Sequence, residues 1–266
     1  MPTAVIRAGR ERDPSVGRDA LPEITRRNVI YHCYPALHND LWRWQAERMR
    51  KEAEQFNGRR IVAIATGGSA HEPAEVRRAF GDAFEFTEVF NDPRLREVAS
   101  FRFLLDAVQS TNPHEATFYG HSKGVATVRD GLLIGIKSNE TGAEFWARTA
   151  YNVLLGNPRR VDGILQHWAS CGINLMETPP GYTPFPGGLR PGDWFYSGTF
   201  FWFRHDAVFS NPKWGDVPDD RYGAEGWIGS VLPRDDAWSD YQAWPYDRSA
   251  WCNPYNPYCY LDEVLE

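Results

Sequence analysis

Residues Ala116 to Gly124, ATFYGHSKG, put a histidine, a serine and a lysine on a glycine-flanked turn directly after a short apolar run. Two chemistries suit that arrangement. Gly120-His-Ser-Lys-Gly124 fits G-x-S-x-G, the strand-to-helix elbow that exposes a nucleophilic serine Oγ. The same turn at the end of a parallel strand would instead offer the His121 imidazole, the Ser122 hydroxyl and the Lys123 ammonium to a phosphate-bearing ligand.

The first chemistry asks for more than the turn. A nucleophile elbow runs into a helix, and an acid and then a histidine follow later in the chain. Behind Ser122 stands GVATVRDG, whose two valines, threonine and early glycine make a weak helix. The histidines after Ser122 are His167, within an amphipathic helical pattern, and His205, at the end of an aromatic run. Neither lies on a late loop, so a serine esterase using Ser122 is the second reading of the turn.

The turn needs a scaffold. Val29 to Tyr34 reads as a buried strand stopped by Pro35, and Asn39 can cap a helix through Phe56 with Trp42, Ala46, Met49, Ala53 and Phe56 inward. Arg60–Thr66 is a second strand, Pro73–Phe80 a helix, Ala83–Phe90 a third strand, and Pro93–Ser110 a helix opened by its proline. Ala116–Tyr119 is the fourth strand. Strands alternating with helices predict an α/β fold with a mostly parallel, doubly wound sheet and helices on both faces. Ligands in such sheets gather at the carboxyl ends of strands, here Tyr34, Thr66-Gly67-Gly68, Asn91-Asp92 and the His121 turn.

The second half reads as an apolar run at Leu132–Ile136, helices at Thr141–Leu155 and Pro158–Ser170, and a long Pro/Gly-rich loop at Thr178–Asp193. Trp194–Arg204, WFYSGTFFWFR, is one or two strands, Gly223–Leu232 a helix, and the chain from Trp238 onward irregular. Met1–Arg27, charged and punctuated by Gly and Pro, reads as a flexible tail ahead of a single domain over 28–266.

Composition narrows the partners. The 266 residues carry a net charge of -6, which supplies no broad positive field for nucleic acid. Aromatic residues make up 14%, including 11 Trp, enough for sugar-stacking surfaces as well as a core. Four cysteines form no C-x-x-C pair, so no zinc knuckle is expected; Cys33 and Cys171 read as buried thiols, and Cys252 and Cys259 could pair. The N-terminus has no apolar signal region, and no run approaches the length of a membrane span, which together predict a cytoplasmic protein.

VIYHCYP at Val29–Pro35, FYGHSKG at Phe118–Gly124, YSGTFFWFRHDAVF at Tyr196–Phe209 and DRYGAEGWIGSVL at Asp220–Leu232 together resemble bacterial nucleotide-sugar-dependent glycosyltransferases of the GT-A type, from polysaccharide gene clusters. The resemblance covers roughly 28–232. It implies a GT-A fold, with 28–137 binding the nucleotide-sugar donor and 138–266 the glycan or other hydroxyl acceptor. That family usually ends its fourth strand in Asp-x-Asp, which holds a divalent ion such as Mn2+ or Mg2+ on the donor diphosphate. Here His121-Ser122-Lys123 stands in its place, so no metal ligand is assigned and the cations of Lys123 and His121 become the counter-charge.

The resemblance also implies donor contacts at Tyr34, Asp92, His121, Ser122 and Lys123. Acceptor contacts fall at Tyr196, Gly198 and Trp202, and an acidic catalytic position at Glu225, with Asp220 and Asp219 as further carboxylates. Each has a plainer reading. His121 and Lys123 could decorate a turn, Asn-Asp-Pro at Asp92 is ordinary turn chemistry, and Tyr196 and Trp202 suit a core. Glu225, in a first helical turn, favours the helix dipole whatever else it does. A non-catalytic carbohydrate-binding protein is the third reading.

Overall fold

Hydrophobic runs without alternation, such as RIVAIAT at Arg60–Thr66, suit strands covered on both faces, and a computed structural model places them so. It describes residues 18–38, 40–122, 141–177 and 193–241. Strands β1 (Arg26–Cys33), β2 (Arg60–Thr66), β3 (Glu85–Phe90) and β4 (Glu115–His121) alternate with helices α1 (Leu41–Lys51), α2 (Pro73–Phe80) and α3 (Val98–Val108). The second half adds α4 (Thr141–Leu155), α5 (Pro158–Leu165), β5 (Ser170–Ile173), β6 (Leu175–Glu177), β7 (Trp194–Tyr196), β8 (Phe201–Arg204), α6 (His205–Phe209), α7 (Gly223–Val231) and β9 (Ala237–Tyr241).

Seven strands form one sheet in the order β3-β2-β1-β4-β8-β5-β9, and β6 pairs with β7 apart from it. The pairs β3–β2, β2–β1, β1–β4 and β5–β9 are parallel, while β8 runs antiparallel to both β4 and β5. This is the expected α/β layout: a mostly parallel central sheet with helices on both faces. Buried residues of α1, α2, α4 and α5 form one core against one face, and those of α3, α6 and α7 a second core against the other.

The chain steps outward from β1 to β3 with α1 and α2 on one face. It then returns past β1 to β4 with α3 on the opposite face. The reversal between β1 and β4 is a topological switch point, where neighbouring loops diverge and leave a crevice outside the strands' carboxyl ends. The His121 turn lies there.

Several boundaries differ from expectation for physical reasons. The α1 helix ends at Lys51, and Ala53–Gln55 tightens into a 3-10 turn, yet Trp42, Ala46, Met49, Ala53 and Phe56 are all buried as predicted. Pro93 opens a turn instead of α3: Arg96 takes a positive φ of 53°, outside the helical region, and the helix starts only at Val98. Helix α5 stops at Leu165, and Trp238, expected in irregular chain, lies in β9 beside Cys171. Residues 18–27 are tied down: Ile24 is buried, Leu21 N–H bonds the Gln166 carbonyl, and Arg27 pairs with Asp162. The Leu132–Ile136 run, most of the Thr178–Asp193 loop, and Cys252 and Cys259 lie outside the described residues. No helix among the described residues is long and apolar enough to cross a membrane.

Candidate functional site

At the switch point, β1 and β4 stand in register with His32 beside His121. Beyond them Ser122 closes the gap between the strands. Its N–H donates to the His32 carbonyl at 2.9 Å, and its Oγ accepts the Tyr34 N–H at 2.6 Å and donates to the Tyr34 carbonyl at 3.3 Å. The Tyr34 and Ser122 expected to touch a ligand therefore meet each other, and the Ser122 hydroxyl is committed to backbone.

No histidine side chain bonds Ser122 among the described residues. His205, the last histidine of the chain, begins α6 rather than ending a strand; it is buried, with Nε2 2.6 Å from Thr117 Oγ1. Thr117 and Ser122 are five residues apart along β4, roughly 16 Å at strand spacing. His167 follows α5, and its backbone carbonyl accepts from Arg18. A Ser-His pair needs hydrogen-bond reach, so His205 cannot activate Ser122.

His121 and Glu225 do come together. The Tyr196–Thr199 turn joins β7 to the approach of β8, closed by the Thr199 N–H donating to the Tyr196 carbonyl at 3.1 Å. Gly198 has φ 97°, the left-handed region glycine enters freely. Its N–H donates to Glu225 Oε1 at 3.1 Å, and its carbonyl lies 3.0 Å from His121 Nε2. A carbonyl only accepts, so Nε2 carries the proton. Glu225 reaches the turn because α7 packs closely on β7: a Cβ on Gly229 would collide with the Trp194 backbone.

His32 belongs to the same cluster, although sequence reasoning missed it. It is buried on the α3 face, with Nδ1 2.8 Å from Ser100 Oγ. Burial lowers its pKa to about 4; the nearby Glu97 carboxylate opposes that shift and His121 adds to it. The signal was present in VIYHCYP, where His32 stands two residues before Tyr34, but its neighbour depends on strand register.

Other expected contacts are placed differently. Tyr196 is 0% exposed, its hydroxyl 3.0 Å from both Ser170 Oγ and the Trp238 carbonyl, and its ring sits over Gly172, where a Cβ would come within 2.5 Å. Trp202 is buried against Phe56 with ring centroids 5.6 Å apart, and its Nε1 donates to the Leu154 carbonyl. Both are core residues, each worth about 1.5–3 kcal/mol of burial or more, and neither offers a ring to an acceptor. The same holds for Trp42, Trp227, Tyr31 and Tyr151, so the aromatic richness builds the core.

Asp92, at the end of β3, is held by Arg94, whose Nη2 lies 2.8 Å from Oδ2. That pairing, with the Arg94 N–H on Oδ1, keeps the carboxyl below the usual aspartate range. Arg94 also feels the charge of Asp219. Asp220 Oδ1 accepts the Tyr222 N–H at 2.8 Å and shapes the turn into α7. Lys123 lies outside the described residues.

Among the described residues, no three His, Cys, Asp or Glu side chains converge as metal ligands would. The β4 end offers an imidazole and a committed hydroxyl where paired carboxylates would be needed. Among the described residues, this donor set lacks the carboxylates that hold a divalent ion on a diphosphate.

No protein-family model matches this chain. No curated protein matches it either. Among solved structures it is similar to one from Desulfovibrio desulfuricans G20, provisionally assigned as a nucleotide-diphospho-sugar transferase. The two share 12% identity and a TM-score of 0.34 over 90% of this chain and 96% of the other.

Proposed function

We propose that this protein is a glycosyltransferase, moving a sugar from a nucleoside-diphosphate donor to an acceptor hydroxyl, with a glycan as the acceptor class. The observation that carries the reading is the meeting of His121 and Glu225 on Gly198, at the switch point between β1 and β4. A protonated imidazole nitrogen and a carboxylate stand on two sides of one residue, in the crevice where a doubly wound sheet takes its ligand.

In this proposal the donor's diphosphate lies across the ends of β1 and β4, and the acceptor enters from the Gly198 side. The acceptor oxygen attacks C1 of the sugar, and the bond from C1 to the diphosphate oxygen breaks. The acceptor proton passes to the Glu225 carboxylate, the general base. Charge gathers on the departing diphosphate, and cations aimed there stabilise it; we assign that part to His121 as the imidazolium, which keeps Nε2–H on the Gly198 carbonyl and gains a second N–H at Nδ1, with Lys123 beside it in sequence. Ser122 acts by joining Tyr34 to the end of β4.

A thermal-shift series with UDP, GDP, CDP and ADP, each with and without Mn2+, tests the reading. Stabilisation by at least one nucleotide is the expected result. No response to any of them overturns it.

A further inference from the structure

Phe90 is 76% exposed, the highest exposure among the large apolar side chains of the described residues, and it ends β3 at the carboxyl edge of the sheet. Single exposed apolar side chains are common on folded proteins; what distinguishes Phe90 is what surrounds it. Its position is set from both sides. Asn91 N–H donates to the Thr66 carbonyl at 3.0 Å, which fixes the end of β3 to the end of β2. Gly67 then runs so close that a Cβ there would lie 3.3 Å from the Phe90 ring.

The surroundings suit a flat ligand. Gly67 and Gly68 both take left-handed φ, 87° and 63°, and the space that a Gly68 side chain would fill is open. Leu37, itself 56% exposed, joins this rim through its N–H on the Ser69 carbonyl at 2.9 Å. The Asn91 side chain makes no hydrogen bond among the described residues. An amide offers one donor face and one acceptor face, the pattern that pairs with the edge of a heterocycle. An aromatic face, bare glycine backbone and an adjacent amide together select a planar heterocyclic ring with a hydrogen-bonding edge.

We propose that Phe90 is the stacking platform for the nucleobase of the donor, with the Asn91 amide reading the base edge. This rests on the transferase reading. It adds that the base lies over β2 and β3, two and three strands out from β4 and its His121, so the donor spans the sheet edge from Phe90 to the switch point.

Isothermal titration calorimetry with UDP, GDP, CDP, ADP and inorganic pyrophosphate tests it on the full chain. Base stacking removed by alanine substitution weakens binding by roughly ten-fold. The expected result is that loss for the preferred nucleotide in Phe90→Ala, near wild-type affinity in Phe90→Trp, and no change for pyrophosphate in either. Asn91→Ala reduces the differences among the four nucleotides. Phe90 is exposed, so the variants fold, which their melting curves verify. Wild-type nucleotide affinity in Phe90→Ala overturns the platform and leaves the transferase reading standing. Undiminished affinity differences among the four nucleotides in Asn91→Ala overturn the edge reading. Failure of the wild-type protein to bind any nucleotide overturns both the proposal and the reading beneath it.

Discussion

His121 and Glu225 hold the same residue from two sides: the imidazole meets the Gly198 carbonyl at 3.0 Å, and the carboxylate takes the Gly198 N–H at 3.1 Å. One side chain ends β4, and the other belongs to the first turn of α7. Gly198 can serve both because its φ of 97° is open to glycine at little cost. The turn thereby sets the separation between a proton donor and a proton acceptor at the switch point.

Removing the charge from Glu225 separates chemistry from binding. Glu225→Gln keeps a side-chain oxygen for the Gly198 N–H but cannot take a proton at neutral pH. Transfer should fall by about 10²–10⁴-fold, with nucleotide affinity unchanged by calorimetry. Near-normal turnover would remove Glu225 as the base.

Ser122 should prove structural. Ser122→Ala loses both hydrogen bonds to Tyr34, and stability should drop by about 1–2 kcal/mol in urea unfolding. The wild-type protein should not react with a fluorophosphonate probe, because the hydroxyl has no histidine to activate it. Covalent labelling at Ser122 would restore the esterase reading.

Two buried histidines set a pH window. Burial lowers His32 to about 4 and His205 to about 3, with Arg26 adding to the shift at His205. An unfolded histidine titrates near 6.5, so between about pH 6.5 and 4 the unfolded chain binds protons that the native state refuses. Stability is full above that window and falls as pH drops through it, by up to about 1.4 kcal/mol per pH unit for each histidine. Glu75, Glu85 and Asp92 are held low by Arg43, Arg59 and Arg94, and their contribution is lost only below about pH 4.5. His32 faces Ser100, Glu97 and His121, and His32→Gln should reduce the slope between pH 6.5 and 4.5 by about half. An unchanged slope in urea titrations would contradict the buried neutral state.

Arg204 should be the costliest polar side chain to truncate. It is fully buried, donates to the carbonyls of Pro22, Leu165 and Pro113 at 2.6–2.9 Å, and pairs with Asp206. Arg204→Leu leaves those three carbonyls without their donor and should cost about 3–5 kcal/mol. The check is a lower urea midpoint with the transition slope retained. A loss below about 1 kcal/mol would mean that water replaces the guanidinium.

The parallel half of the sheet was legible because its signals are local. Arg60–Thr66, Pro73–Phe80 and Thr141–Leu155 match the sequence reading residue for residue, since apolar runs and Gly/Pro punctuation act on each element by itself. The His121 turn and the acidic first turn of α7 were visible for the same reason.

The pairing of elements was not local. Only tertiary structure inserted β8 antiparallel between β4 and β5, and paired β7 with β6 outside that sheet. That arrangement turned Tyr196 and Trp202 into the core while placing Gly198 between His121 and Glu225. Register put His32 beside His121. Strand partners are chosen by hydrogen bonds and packing between segments distant in the chain, whereas periodicity reports only what each segment does alone. Residue types and local spacing mark the groups that could do chemistry; packing between distant segments settles which of them meet.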